Sequence, residues 1–236
     1  MSGQHTEETG RLHWLVGAYL ARRHTILFYS LLLTLGAAPL LAVLHLDDRL
    51  VQIFLGLNLL AAVLGVGGRR PSRLFLLLLA AVLAVRLASL WLHADALATT
   101  SLALWTVIGL LAAAGAVRFA MCETAISAEH LYAALSAYLL AGLFFGVLYW
   151  VIERAWAGSF VIAGSRVAPG QFSTASAIYF SFVTLATLGY GDVVPHSEVA
   201  RGVAILEAVA GQLYLAVMVA RLVSLYVRGP RKGDGS

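Results

Sequence analysis

The sequence predicts an all-α membrane protein with six transmembrane helices. Of its 236 residues, 61% are hydrophobic and only 12% are charged, whereas about a quarter of a soluble domain is charged. The apolar residues form six long runs, each comparable with the roughly 20 residues that a helix needs to cross a bilayer. A seventh, shorter run at 172–185 lies between the last two. This composition excludes an ordinary soluble enzyme, and the net charge of +4 is too small to indicate a nucleic-acid-binding surface.

The six runs follow one another with short polar breaks. Arg22, Arg23 and His24 precede the first run, as basic residues precede the core of a signal peptide. That core is only roughly 7 to 15 residues long, so we expect the longer first run to remain in the membrane as an anchor. Cys122 is the single cysteine, so the chain has no internal disulfide and helix packing must hold the fold. The predicted spans are 26–46, 50–66, 74–93, 101–117, 131–152 and 199–227.

The run at 172–185 is apolar but too short to span a bilayer. It is therefore expected to be either a re-entrant helix or a segment that lies on the membrane surface. Ser173 or Thr174 can cap this helix, because Ser and Thr side chains accept hydrogen bonds from the free N–H groups at a helix start.

The distribution of basic residues predicts that both termini are cytoplasmic, because Lys and Arg are retained on that side during insertion. With this orientation ten basic residues are inside and four are outside, while Arg86 and Arg221 lie within spans. The outer loops also carry six acidic residues, so the outer face mildly concentrates cations. The inner residues are Arg11, Arg22, Arg23, Arg69, Arg70, Arg73, Arg118, Arg228, Arg231 and Lys232, and the outer ones are Arg49, Arg154, Arg166 and Arg201 with Asp47, Asp48, Asp95, Glu153, Asp192 and Glu198.

A hexapeptide with two alternate glycines, Thr-Leu-Gly-Tyr-Gly-Asp at 187–192, follows the short run. It resembles the selectivity-filter signature of the potassium channel superfamily, and Thr184 lies where the filter approach of that family also has threonine. The context agrees, since the family places this signature after a short pore helix and between two spans. Leu188 departs from the more frequent Val or Ile, and Tyr179-Phe180 stand where many members carry tryptophan. The resemblance is specific over 179–195, moderate over the final span and only architectural for the first four helices.

The hexapeptide also has a physical reading of its own. Rings of backbone carbonyls can replace the water shell of a potassium ion when several chains surround one axis, and a single chain cannot form such a ring. Gly189 and Gly191 permit the backbone dihedrals that bring successive carbonyls to one side. The predicted K+ ligands are the carbonyls of Thr187, Leu188, Gly189 and Tyr190, with the Thr187 hydroxyl completing the innermost site and Gly191 completing the filter.

The last span contains a second match to the family. Gly211 lies nineteen residues after Asp192, which is the spacing of the family's inner-helix hinge, although a glycine here could instead serve close helix packing. Helical periodicity places Gln212, Leu215, Val219 and Val223 on one face, which is predicted to line the pore. A ring of apolar side chains at Val219 and Val223 could close the pore by dewetting.

Three polar residues are expected to act near the filter or within spans. Tyr179 is predicted to hydrogen-bond Asp192 behind the filter. Glu207 lies one turn before Gly211, and an ionisable group at that depth is a functional candidate by default. It is expected to support the filter, hydrogen-bonded or protonated, so that its charge state affects filter stability. Arg86 is expected to snorkel towards the interface or to pair with an acidic neighbour.

The fourth span, 101–117, has no Lys or Arg, and Arg118 stands alone at its predicted cytoplasmic end. Moving one charge through 100 mV yields only about 2.3 kcal/mol, so steep voltage gating needs several such charges per subunit. We therefore expect little intrinsic voltage sensing. The predicted regions are a cytoplasmic leader at 1–24 with a possible interfacial helix, a four-helix membrane region at 25–122, a pore domain at 123–228 and a disordered tail at 229–236.

The resemblance implies a homotetrameric potassium-selective channel, in contact with membrane lipids and with no cofactor beyond the permeant potassium ions. A cell membrane, bacterial in type, with both termini cytoplasmic is the expected location. A weakly selective cation channel and a non-conducting membrane scaffold remain alternatives. An intramembrane enzyme is disfavoured, because Gly164-Ser165 lacks the arrangement of a nucleophile turn.

Overall fold

The computed structural model describes residues 22, 24–37, 58, 95–122, 128–168 and 170–227. This part of the chain contains five helices: α1 His24–Ala37, α2 Asp95–Cys122, α3 Ala128–Ala155, α4 Thr174–Leu185 and α5 Glu198–Val227. It also contains three short strands: β1 Phe160–Ile162, β2 Ser165–Arg166 and β3 Val193–Pro195. Two helical segments, Leu131–Ala155 in α3 and Glu198–Arg221 in α5, are long and apolar enough to cross a membrane.

The predicted spans agree with the helices where both can be compared. The fifth and sixth lie within α3 and α5, and α1 covers the first part of the span at 26–46. The fourth is longer than predicted, because α2 begins at Asp95 and continues past 117 to Cys122. Arg118 therefore lies inside this helix, four residues before its end. Its predicted place at the cytoplasmic end of the membrane span stays a prediction.

Several predictions concern segments outside the described residues. These are most of the leader at 1–24, the span at 74–93 with Arg86, the span at 50–66 apart from Asn58, and the tail at 229–236. The total of six transmembrane helices and the division of the chain into regions stay predictions.

Small residues set the helix contacts around α3. On α2, Ala112, Ala113 and Ala116 are buried, and the backbone of Gly109 packs directly on the ring of Phe144. On the side facing α4, a Cβ atom at Gly146 would lie 2.6 Å from Ile178 Cα. Glycine and alanine therefore let α2 and α4 approach α3 closely, which is the usual way for helices to pack where apolar surroundings supply no hydrophobic drive.

Aromatic rings join α4 to the end of α3 and to β1. Tyr149 meets Phe180 edge to face at 4.8 Å between ring centroids, and Phe160 stacks on Phe172 at 4.6 Å. All four rings are buried. Edge-to-face and stacked pairs add to the free energy of burial, so this cluster fixes the middle of α4 against α3 and the residue before its cap against β1.

A three-stranded sheet with the order β2-β1-β3 lies between α3 and α5 and was not predicted. The β1–β2 hairpin turns through Ala163 and Gly164, whose φ angles of 48° and 82° are both positive, as a two-residue hairpin turn of this kind requires. β1 pairs antiparallel with β3, with Val161 opposite Val194. Because β3 directly follows the hexapeptide, the sheet fixes the chain where it leaves that segment.

The buried carboxylate of Glu153 organises the start of the hairpin. Glu153 Oε1 accepts a hydrogen bond of 2.7 Å from the Gly158 N–H, and Oε2 accepts one of 3.0 Å from the Phe160 N–H. The carboxylate thereby accepts from two backbone N–H groups in the loop after α3. Burial of these groups without an acceptor would cost free energy.

A second carboxylate joins the first described helix to α3. Glu129, in the first turn of α3, accepts hydrogen bonds from Thr25 Oγ1 at 2.5 Å and from the His24 N–H at 3.2 Å. His24 and Thr25 lie at the N-terminal end of the described part of α1. Glu129 therefore joins this part of α1 to the first turn of α3.

We expect Glu153→Gln to loosen the hairpin locally. Glutamine keeps one acceptor oxygen but presents an N–H₂ group to the second backbone donor, which loses a bond to a charged group worth about 1.5–3 kcal/mol. Hydrogen exchange of the Gly158 and Phe160 amides should become roughly tenfold faster or more. Glu198→Gln is the control, because that carboxylate is exposed. Unchanged exchange in Glu153→Gln would contradict this role.

Candidate functional site

Helix α4 begins at a serine cap. Ser173 has an extended backbone (φ −73°, ψ 159°) and its Oγ accepts from the Ser176 N–H at 3.1 Å. Of the two caps expected from the sequence, the structure therefore has Ser173. The helix runs from Thr174 to Leu185 and has twelve residues.

The chain leaves α4 while still hydrogen-bonded to its last turn. The Thr187 N–H donates to the carbonyl of Thr184 at 3.0 Å, and the Leu188 N–H donates to the carbonyl of Val183 at 2.8 Å. The expected supporting residue Thr184 thus acts through its main-chain carbonyl. These bonds fix the beginning of the hexapeptide to the helix that precedes it.

Every second residue of the hexapeptide has a positive φ angle. The values are 55° at Thr187, 58° at Gly189 and 78° at Gly191, whereas Leu188 and Tyr190 do not share this conformation. Glycine adopts a positive φ easily, so this conformation was expected at Gly189 and Gly191. It was not expected at Thr187, because a positive φ is a genuine outlier for a β-branched residue and costs about 1–3 kcal/mol. The only feature of the sequence that indicates it is the position of Thr187 two residues before Gly189.

Asp192 connects α4, the hexapeptide and the hairpin. Its Oδ2 accepts from the Tyr179 hydroxyl at 2.8 Å, which confirms the predicted contact. Its Oδ1 accepts from the Val193 N–H at 3.0 Å, and its main-chain carbonyl accepts from the Ala163 N–H at 3.0 Å. The end of the hexapeptide is therefore held by a side chain of α4 and by the turn of the hairpin.

The face of the hexapeptide away from these supports is open in a single chain. Residues 187–192 are all exposed, including the large side chains of Leu188 (55%) and Tyr190 (66%). A Cβ atom added at Gly189 or Gly191 would meet nothing within 4 Å. The segment is thus held from one side and leaves its other side free for ions or for further copies of the chain.

Glu207 lies where α3, α4 and α5 meet, and it is completely buried. Its Oε2 accepts from the Tyr149 hydroxyl at 2.6 Å, and its Oε1 is 2.5 Å from Ser181 Oγ. Ser181 Oγ is also 2.7 Å from the carbonyl oxygen of Gly142 on α3. The expected hydrogen bonding of Glu207 is confirmed, and its contacts reach the helix that carries the hexapeptide.

Known proteins match this part of the chain. Residues 133–228 match the ion channel family. Over 84 residues the chain is 33% identical to the inward rectifier potassium channel Kirbac3.1 of Paramagnetospirillum magnetotacticum, which covers 34% of this chain and 28% of that protein. Over 99 residues it is 31% identical to Protein LctB of Bacillus caldotenax, which covers 42% of this chain and 73% of that protein. The chain belongs to the potassium channel superfamily. No solved structure matches it significantly.

The match to the ion channel family includes α4 and the hexapeptide, so this membrane protein contains an ion channel domain. The matched residues 133–228 contain most of α3 and all of α4, the hairpin and α5. The chain spans little more than a quarter of the length of the inward rectifier. The ligand roles predicted for residues 187–191 stay predictions.

Gly211 of the channel lies against the end of α4. A Cβ atom there would be 2.7 Å from Leu185 Cδ1 and 2.9 Å from the Leu185 carbonyl oxygen. This contact agrees with the close-packing alternative for Gly211, because only glycine lets α5 approach the α4 backbone so closely. The hinge role stays a prediction.

Helix α5 is largely exposed in the single chain. The four residues predicted to line the pore, Gln212, Leu215, Val219 and Val223, are all exposed. Large apolar residues on other faces, such as Leu206 (68%) and Leu213 (61%), are exposed as well. Exposure therefore does not distinguish the predicted pore face from the rest of the helix. Below Gly211, α5 is fastened to α3 by the Tyr214 hydroxyl, which donates to the Ala134 carbonyl at 2.5 Å.

We expect Gly211→Ala to destabilise the channel. The added methyl group meets the Leu185 carbonyl of the α4 backbone, and overpacking of this kind lowers the free energy of unfolding by about 1–3 kcal/mol. The better helix propensity of alanine offsets up to about 1 kcal/mol of that loss. The apparent melting temperature in detergent should fall by roughly 2–8 °C.

Gly202→Ala is the matched control for this change. Gly202 is also within α5, and a Cβ atom there meets nothing within 4 Å. Its melting temperature should stay the same or rise. An unchanged melting temperature in Gly211→Ala, together with altered channel opening, would support the hinge instead of close packing.

Proposed function

We propose that the protein is a potassium-selective channel that conducts passively through residues 187–191 of several identical chains. The observation that carries this proposal is the alternation of positive φ angles at Thr187, Gly189 and Gly191. This segment is held by α4 and the hairpin on one side and is exposed on the other. Alternation of this kind is what a strand needs if successive carbonyls are to face one axis. The match to a protein named as a potassium channel supports the choice of ion.

The proposed ligands are oxygen atoms of the backbone. Carbonyls of Thr187, Leu188, Gly189 and Tyr190 would replace the hydration shell of the ion, and the Thr187 hydroxyl would complete the innermost position. Flux follows the electrochemical gradient, so the proposal needs no catalytic residue and no cofactor.

A tetramer of this chain is part of the proposal, because one chain supplies only one side of an ion site. The exposed Leu188 and Tyr190, and the exposed apolar faces of α5, support it, since such surface is normally covered by lipid or by another subunit. Chemical cross-linking of the purified channel in detergent should give a ladder that ends at four chains. A ladder that ends at two would contradict the tetramer.

Six transmembrane helices, cytoplasmic termini and little intrinsic voltage sensing complete the proposal. Arg118 is the single basic residue of α2, and one charge yields only about 2.3 kcal/mol in 100 mV. Val219 and Val223 on the lower part of α5 are the proposed apolar constriction, which would close by dewetting.

The filter is tested by Gly191→Ala. The φ angle of 78° at Gly191 is strained for alanine by about 1–2 kcal/mol in each chain, so the carbonyls should lose their alignment. In reconstituted bilayers with K+ on one side and Na+ on the other, the reversal potential should move towards zero as the preference for K+ is lost.

Gly164→Ala is the matched control, because Gly164 has a φ of 82° and equally free surroundings but lies in the hairpin turn. It should keep the reversal potential of the unmodified channel. A reversal potential near zero in the unmodified protein would indicate a weakly selective cation channel. Absence of current at all voltages and pH values would instead favour a membrane scaffold.

The contact between Tyr179 and Asp192 is tested by Tyr179→Phe. The ring stays while the hydrogen bond of 2.8 Å is lost, so the outer end of the filter should become less rigid. We expect the permeability ratio of K+ to Na+ to fall roughly two- to tenfold, the factor that corresponds to a hydrogen bond of about 0.5–1.5 kcal/mol. Tyr29→Phe, at an exposed site on α1, should leave the ratio unchanged. Equal ratios for both variants would rule out the role of Tyr179.

A further inference from the structure

The contacts of Ser181 limit where the protons behind the hexapeptide can be. Ser181 Oγ is 2.7 Å from the Gly142 carbonyl oxygen and 2.5 Å from Glu207 Oε1. Both distances are within the range of hydrogen bonds between oxygens, so each pair of oxygens needs a hydrogen between them. A serine hydroxyl has one hydrogen to donate and two lone pairs to accept with, so it cannot donate fully to both neighbours.

One of the two partners must therefore donate to Ser181. The Gly142 carbonyl has no hydrogen, whereas a carboxyl group can carry one. The Tyr149 hydroxyl occupies the other carboxyl oxygen, Oε2, at 2.6 Å. Every group has a hydrogen-bond partner when Oε1 carries a proton and donates a hydrogen bond to Ser181 Oγ. Ser181 then donates to the Gly142 carbonyl, and Tyr149 donates to Oε2.

We propose that Glu207 is a proton-binding site, and that its neutral carboxylic acid fastens α4 to α3 and α5. The ligand is a single proton, bound at Oε1. The proposal concerns the protonation of one side chain and does not depend on which ion the channel conducts, so it can fail or succeed independently of the proposed function.

The surroundings of Glu207 favour the neutral form. Glu207 and Ser181 are completely buried. The titratable groups of α3 that face it are the phenols of Tyr149 and Tyr138, and the polar side chain of α4 that meets it is Ser181. Within the described residues, no hydrogen bond or ion pair joins Glu207 to a basic side chain. An unpaired carboxylate in an apolar interior carries a large desolvation cost, which a proton removes.

Loss of this proton has a defined structural consequence. The ionised carboxylate can only accept. The Ser181 hydroxyl must then either turn to Oε1 and lose its hydrogen bond to the Gly142 carbonyl, or stay with Gly142 and leave two lone-pair-bearing oxygens 2.5 Å apart. Either arrangement weakens the attachment of α4. Alkaline pH should therefore destabilise the channel through this one group.

Infrared difference spectroscopy of the purified full-length channel in detergent tests the site directly. The spectrum of the unmodified protein minus that of Glu207→Gln should show the C=O stretching band of a protonated carboxylic acid at neutral pH. The band should disappear at alkaline pH, and the apparent melting temperature of the unmodified protein should fall over the same range. The melting temperature of Glu207→Gln should not follow that pH dependence.

Glu198→Gln is the matched control, since that carboxylate is exposed and pairs with Arg201 at 3.2 Å; its difference spectrum should lack the band. Should Glu207→Gln fail to assemble, Ser181→Ala provides a second test, because removal of the proton acceptor should shift the band to a free-acid frequency. A Glu207→Gln difference spectrum without the band, or an acid band unmoved by Ser181→Ala, would overturn the proposal.

Discussion

The proposed filter of main-chain carbonyls can be supported only from behind, because its front must stay open to the ion. The front of residues 187–192 is exposed, and within the described part of the chain their supporting hydrogen bonds come from α4 and from the hairpin. Thr187 has a strained φ of 55°. A residue keeps such a conformation only where the contacts around it hold it there, so the supporting contacts must offset this strain. The contacts around residues 187–192 therefore hold one short helix, α4, and one short strand, β3, in place.

Helix α4 has twelve residues, and an isolated helix of that length is marginal even with favourable residues. Three kinds of contact hold it. Glycines at 142 and 146 let it lie close to α3. The rings of Phe172, before the helix, and Phe180, within it, pack against β1, and Ser181 links its middle to α3 and α5. Polar contacts between membrane helices are worth only about 0.6–2 kcal/mol each, so several are needed, and their directions fix the rotation of α4 that apolar packing alone would leave open.

Sequence reasoning succeeded where a pattern is long or carries a distinctive residue set. The spans in α3 and α5, the short helix at 174–185 and the contact between Tyr179 and Asp192 follow from hydropathy and from the hexapeptide. It missed the sheet, because strands of two and three residues are too short to show alternation. The turn at Ala163-Gly164, between Phe160-Val-Ile and Ser165-Arg-Val, was the signal that could have indicated a hairpin.

Other features depend on contacts that no pattern along the chain contains. Whether Gly211 serves packing or bending depends on its distance to the Leu185 carbonyl, and the extent of α2 depends on backbone bonding beyond Arg118. The positive φ of Thr187 opposes the preference of a β-branched residue, so local propensity points away from it. Functional segments are where such conflicts between local preference and final structure are expected.

The choice of an acid at position 207 follows from counting donors and acceptors at the meeting point of three helices. Tyr149 brings a donor, Gly142 an acceptor and Ser181 one hydrogen with two lone pairs, so the remaining side chain must accept once and donate once. A neutral carboxylic acid does so without leftover groups. Glutamine would bring a second N–H that needs another acceptor, and leucine would leave the Tyr149 hydroxyl buried without its partner. An ionised carboxylate would bring a charge into the membrane interior, at a cost of several kcal/mol. The neutral acid gives every group of this hydrogen-bonded cluster a partner, and it makes the attachment of α4 to α3 and α5 depend on one removable proton.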